Sequence, residues 1–250
     1  MPLDKVRIRF RKSGELRLVS HLDLMRSLER LLRRASLPFH MTGGFHPTPR
    51  LVLAQSLSLG ITGQSEVAEL ELTEEIDPPA VLDRLRAQAP RGLDFLSCVR
   101  IPFKTTGRPR RAVYLIPADP TPELRARCDA FLAATEVWAD RERPRPRQVN
   151  IRNYVESLTL VPEGVRASIW LTQDGTTRAD ELAGALGITD TTAMERLELE
   201  LADEVSAEEA ARTPRIEPQT RPLTRPISAD PGPTAPTETW GATANGPVVE

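Results

Sequence analysis

His21, His40 and His46 are the only histidines in the 250 residues. A side chain that titrates near neutrality is the usual proton carrier in metal-free phosphodiester cleavage. With an arginine such as Arg50 holding the scissile phosphate, His21 or His46 would serve a metal-independent endoribonuclease as general base or acid. A lone histidine near a helix start, where His21 stands, is more often a structural hydrogen-bonder. His46 belongs to the stretch Phe39 to Arg50, in which Gly43 and Gly44 free the backbone while Pro47 and Pro49 fix it. Within that stretch Phe45 offers a ring for stacking and Arg50 a cation for a phosphate. The chain contains no Ser-His-Asp spacing, Gly-x-x-x-x-Gly-Lys loop, Gly-x-Gly-x-x-Gly loop or His-Glu-x-x-His pair, so the usual hydrolase, nucleotide-binding and zinc-protease signatures are missing. Cys98 and Cys128 have no second thiol or histidine at ligand spacing, which excludes a local zinc knuckle or a three-cysteine cluster motif. No metal or cofactor is expected in this chain, and the motif catalogue favours binding over catalysis.

The charge pattern points to what would be bound. Residues 1–111 hold 19 Lys+Arg against 12 Asp+Glu, whereas 112–250 hold 14 against 23. A basic first half suits a polyanionic partner. Three successive elements there carry arginine: Arg7, Arg9 and Arg11 on one face of a first strand, Arg26, Arg30 and Arg33 on the outer arc of a first helix, and Arg50 after the glycine-rich loop. Together with Gly43, Gly44 and Phe45 they form the expected nucleic-acid contact set. A solvated surface, or a face that meets an acidic patch on a protein partner, is the competing reading.

The elements that must hold these residues follow from periodicity. Val6, Ile8 and Phe10 alternate with the three arginines in a half-buried strand. Ser20 with Asp23 caps a helix over about 21–35, where Leu24, Met25, Leu28, Leu31, Leu32 and Ala35 share one arc. Leu51 to Leu59 reads as a strand ending at Gly60, and Val67–Thr73 as its hairpin partner. A helix opens at Asp77-Pro78, and a strand runs from Leu93 to Ile101. That order, βαββαβ, is the ferredoxin-like pattern. It recurs with a strand at Arg111–Pro117, a helix from Pro122, a hairpin at Ile151–Val161 and Val165–Thr172, a helix at Asp180–Leu186 and a last strand at Leu197–Leu201, with Tyr154 and Trp170 in its core. The arginine-rich run 140–147 is expected to be an extended solvated loop. The expected class is therefore α+β, with two tandem ferredoxin-like units at 1–108 and 109–203. Beyond 204 the periodicity fails and prolines recur, so 204–250 reads as a disordered tail. With no signal peptide and no apolar run long enough for a bilayer, the chain reads as cytoplasmic, with no membrane partner.

Three motifs, Arg7-Ile-Arg-Phe-Arg-Lys12, Leu18-Val-Ser-His-Leu-Asp-Leu24 and Gly44-Phe-His-Pro-Thr-Pro-Arg50, stand in an order that resembles the radical-SAM-linked family of unknown function, domain of unknown function 2344. The likeness extends over roughly residues 4–200. Arg147–Val155 is similar to the family's arginine-containing strand, with Asn150 and Asn153 where the family usually shows Asp and Pro. The resemblance implies a radical SAM partner, which would carry the iron–sulfur cluster and S-adenosylmethionine; it implies no activity of its own. Tandem ferredoxin-like units with a glycine-rich loop and an early histidine also look like the CRISPR repeat-processing endoribonucleases, an analogy of architecture alone. The expectation is an RNA-binding accessory module that works with a radical SAM partner in tRNA or rRNA modification or processing. A histidine-dependent endoribonuclease and a pure protein-interaction module are the alternatives.

Overall fold

The computed structural model describes residues 3–142 and 145–223. Its first strand, β1 (Asp4–Lys12), sends Val6, Ile8 and Phe10 into a core shared with Leu24, Leu28, Leu31 and Leu32 of α1 (His21–Arg34). The helix begins where the Ser20 hydroxyl accepts the Asp23 backbone N–H at 3.2 Å, satisfying one of the donors that a first turn leaves unpaired. Short strand β2 (Leu51–Leu53), long strand β3 (Thr62–Leu72), helix α2 (Pro78–Gln88) and strand β4 (Leu93–Arg100) complete the first half, with Val81 and Leu85 of α2 in the same core. Each fully buried aliphatic side chain stabilises this core by about 1.5–3 kcal/mol.

The second half has a similar order with an insertion. Strand β5 (Pro109–Pro117) and helix α3 (Pro122–Ala133) lead to a small hairpin, β6 (Trp138–Arg141) and β7 (Arg147–Asn150). Strands β8 (Val155–Val161) and β9 (Gly164–Trp170), helix α4 (Ala179–Ala185) and strand β10 (Glu195–Leu201) follow. Ile116, Leu124, Cys128, Phe131, Ile169 and Leu182 pack a second core. The main sheet has the order β4-β1-β3-β10-β5-β9-β8, with β2 added on β3. All its pairings are antiparallel except one: Thr62 and Gly63 of β3 pair in parallel with Glu195 and Arg196 of β10. The protein is a mixed α+β fold built on this one large sheet. No helix among the described residues is long and apolar enough to cross a membrane.

Three sequence expectations are corrected. The strand expected over Leu51–Leu59 stops at Leu53. Beyond it the Gln55 and Ser56 carbonyls turn away to accept from the Arg196 guanidinium, at 3.2 Å each, and β10 takes the place beside the start of β3. The arginine-rich run 140–147 contributes to the β6–β7 hairpin, because Arg141 is drawn in by the Glu181 carboxylate at 2.7 and 2.8 Å; Arg143 and Pro144 lie outside the described residues. Residues 204–223, read as the start of a tail, fold onto the second half as helix α5 (Ala207–Ala211) and strand β11 (Thr220–Arg221), which pairs with β7. Buried Ile216 and partners supplied by Arg110 and Asn150 hold them there, contacts that no local periodicity announces. The rest of the expected tail, 224–250, lies outside the described residues.

Candidate nucleic-acid interface

Helical spacing sorts the outer face of α1 into two stripes. Leu22, Arg26, Glu29 and Arg33 form one, and Asp23, Ser27, Arg30 and Arg34 the other. Arg33 fixes the direction of the first, because its guanidinium sits 5.5 Å above the Phe39 ring, where the glycine-rich stretch begins. Arg34 fixes the second by donating to the Gln88 carbonyl at 3.2 Å, at the end of α2. Arg26 is paired with Asp23 at 3.1 Å and Arg33 with Glu29 at 2.8 Å, both on the open surface where such pairs hold weakly. Arg30 and Arg50 are exposed, and neither pairs with a carboxylate among the described residues.

The loop between α1 and β2 is a built structure. Met41 bridges Pro49, the Thr42 N–H donates to the Thr48 carbonyl at 2.8 Å, and the Thr48 N–H donates to the Thr42 hydroxyl at 2.9 Å. His40 anchors its base: its N–H donates to the Glu71 carbonyl at 2.8 Å, and its Nδ1 lies 3.1 Å from the Glu71 carboxylate. Gly44 adopts φ +106°, a conformation that side-chain-bearing residues rarely enter. The backbone so turned leaves Phe45 wholly exposed at the tip, at 101% of its reference area. His46, Gly43 and Arg50 are exposed with it.

His21 stands apart from the base of this loop. It lies in the first turn of α1, exposed, with Nδ1 3.5 Å from the Ser56 hydroxyl. A 14-residue helix is about 20 Å long, and Arg33 and Phe39 meet at its far end. No hydrogen bond links His21 to His46 among the described residues.

The expected basic face of β1 is corrected most. Arg7 is buried, and its guanidinium donates to Glu69 at 2.8 and 3.1 Å, to Asp203 at 2.6 Å and to Glu204 at 3.0 Å. Arg9 is half-buried, donating to the Ser65 hydroxyl at 3.0 Å, to the Leu199 carbonyl and to Glu204. Burial disfavours the charge on Arg7, but the carboxylates around it outweigh burial and hold its pKa above the ordinary value. Burial likewise pushes the Glu69 carboxyl up, and hydrogen bonds from Lys5, Arg7 and the Gly107 N–H outweigh it and hold it below the ordinary range. Alternation correctly put these arginines opposite the helices; that face is covered by Gly107 and by the turn after β10. Arg11, at the end of the strand, is exposed.

The expected contact set thus divides. Arg26, Arg30 and Arg33 lie on the surface of α1, Gly43, Gly44, Phe45 and Arg50 on the exposed loop and Arg11 at the exposed end of β1, whereas Arg7 is internal and Arg9 half-buried. Sequence reasoning passed over Leu22, exposed at 67% one turn before Arg26. Its place outside the apolar arc of α1 was the signal.

The sequence profile of an uncharacterized protein family conserved in bacteria, DUF2344, matches residues 5–180. The chain belongs to this family. The matched span takes in α1, the glycine-rich loop and β9, and stops short of β10 and α5. No curated protein matches the chain.

Proposed function

We propose that this DUF2344 protein is a cytoplasmic RNA-binding accessory module that hands RNA to a radical SAM protein for tRNA or rRNA modification or processing. The observation that carries the reading is Phe45: a large ring held fully in solvent by a hydrogen-bonded loop, with Arg50 at the end of the same loop and Arg33 of α1 over Phe39 at its base. An exposed ring with neighbouring guanidinium groups is how single-stranded RNA is commonly held, by base stacking and phosphate contact together. The radical SAM partner, carrying its own iron–sulfur cluster and S-adenosylmethionine, is favoured by the order of the three motifs around Arg7, His21 and His46. We assign the architecture as two tandem ferredoxin-like units, 1–108 and 109–203. In favour of this, β4-β1-β3-β2 and β10-β5-β9-β8 are both the fourth, first, third and second strands of their half, all antiparallel.

Affinity for a single-stranded oligonucleotide measured across a range of salt tests the reading. Each phosphate contact contributes a slope of about −0.7 in log affinity against log salt. Arg30→Ala and Arg50→Ala are each expected to weaken binding and flatten the slope by about that amount. Phe45→Ala is expected to cost ~1–3 kcal/mol of affinity with the slope and the melting temperature unchanged. Unaltered affinity and slope in both arginine variants would sink the RNA reading and leave the protein-interaction module. Discrete cuts in the bound RNA, lost in His21→Ala or His46→Ala, would point to the ribonuclease.

A further inference from the structure

The C-terminal segment from Ser206 to Arg221 lies across the second half as an arm held mostly by polar contacts and by the short β11, where Arg221 donates to the Gln148 side chain at 2.6 Å and sits 4.1 Å from the Trp138 ring centroid. No residue of α5 is buried, and Ile216 is the buried apolar side chain of the segment. Arg110 donates to the Thr213 hydroxyl at 2.9 Å and to the Glu209 carbonyl at 2.7 Å, and Asn150 pairs with Gln219 through backbone and side chain at 3.0 and 2.6 Å. Two open surface clefts, of about 790 and 550 Å³, run along Arg215, Ile216 and Glu217, so solvent reaches the arm on both sides of Ile216. Few buried apolar contacts and solvent-near hydrogen bonds mark a segment that opens at low cost.

What the arm touches is chemically specific. Ile216 belongs to the small apolar cluster on which Trp170 packs. The Arg110 guanidinium lies 5.2 Å from the Trp170 ring centroid, and that of Arg111, directly across the β5–β9 pair, lies 5.9 Å from it. With the arm lifted, the cluster under Trp170 loses Ile216, Arg110 keeps Glu200 but loses Thr213 and Glu209, and Arg111 keeps Glu156 and Glu200 at 2.9 and 2.7 Å. The surface then consists of the indole of β9 beside two guanidinium groups of β5, a set that stacks a base and, by exchanging a carboxylate for a phosphate, holds its backbone. We propose that the C-terminal arm is a latch over a second RNA contact made by Trp170, Arg110 and Arg111. This rests on reading the protein as RNA-binding.

The full chain carrying Ile216→Ala and Gln219→Ala tests it, with amide hydrogen exchange and affinity for a 12-nucleotide oligouridylate as readouts. In the wild type, residues 207–221 are expected to exchange at least tenfold faster than β5 and β9, and faster again in the variant. The variant is expected to bind oligouridylate roughly tenfold tighter, one added stacked base, and Arg110→Gln on top of it is expected to cancel the gain. Arm protection equal to that of β5 and β9 overturns the latch. So does an opened variant that binds no tighter than a wild type which itself binds, an outcome that leaves the α1 and loop interface standing. Binding by neither chain at any salt overturns both, whereas binding by the opened variant alone supports the latch against the first interface.

Discussion

Glu69 shows how a single carboxylate decides what a row of basic residues can do. Its Oε1 accepts from Arg7 at 2.8 and 3.1 Å and from the Gly107 N–H at 2.7 Å, and its Oε2 meets the Lys5 ammonium at 2.8 Å. Two cations that would otherwise mark a binding face are internal because of it. The folded state holds this carboxyl below its ordinary pKa, so its contribution is complete above the unfolded value near 4.3 and is lost as pH falls through the lower folded value. Glu69→Gln is expected to cost about 2–3 kcal/mol at pH 7. It should also flatten the acid limb of a stability profile measured by denaturant titration between roughly pH 5 and pH 2. An acid limb identical to wild type would mean that Glu69 titrates in the fold as it does in the unfolded chain. None of this was legible at Arg7, since alternation gives the side of a strand on which a residue lies and is silent on what covers that side.

At the level of elements, the loop between α1 and β2 separates glycine as conformation from glycine as space. A Cβ on either Gly43 or Gly44 would meet nothing within 4 Å, but only Gly44 has positive φ. Gly44→Ala is therefore expected to cost about 1–2 kcal/mol of local backbone strain, while Gly43→Ala is neutral or slightly stabilising. Thermal melts of the two variants check this: equal effects would show that the +106° conformation is not what shapes the loop under Phe45. Here the sequence was informative, because two glycines that free the backbone just ahead of two prolines that fix it mark a shaped turn, and the cap at Ser20 and the apolar arc of α1 were equally plain. Strand lengths were less so. Leu57 and Leu59 continue the alternation of β2, yet the chain leaves the sheet at Ala54 because Arg196, far along the sequence, claims the carbonyls of Gln55 and Ser56. The arm was illegible for the same reason, its partners Arg110 and Asn150 being remote and its own residues aperiodic.

Across the whole molecule the two halves meet at the β3–β10 seam. Arg196, buried in that seam, forms an ion pair with Glu66 and donates to the Tyr114 hydroxyl at 3.4 Å, while Gln64 donates to Glu195 at 2.6 Å. Lys12 is buried nearby, its pKa held down by burial, with Glu66 opposing that effect and Arg196 adding to it. Arg196→Met is expected to destabilise the fold by about 3–5 kcal/mol, because it strips a buried carboxylate of its main partner. Glu66→Met combined with Arg196→Met should cost clearly less than the two single losses added together, as a double-mutant cycle on unfolding free energies will read. Strict additivity would mean that the pair is not coupled. The seam also bears on synthesis. Once residues 4–100 have left the ribosome, β1, β2, β3 and β4 can close their own pairings, but the edge of β3 that turns Thr62 and Gly63 away from β1 stays open until Glu195 and Arg196 emerge. At ordinary translation rates that wait is on the order of 5–20 s. Throughout it the nascent first half carries an unpaired strand edge, the feature that recruits other chains into aggregates, so the youth of this protein is its most vulnerable stage.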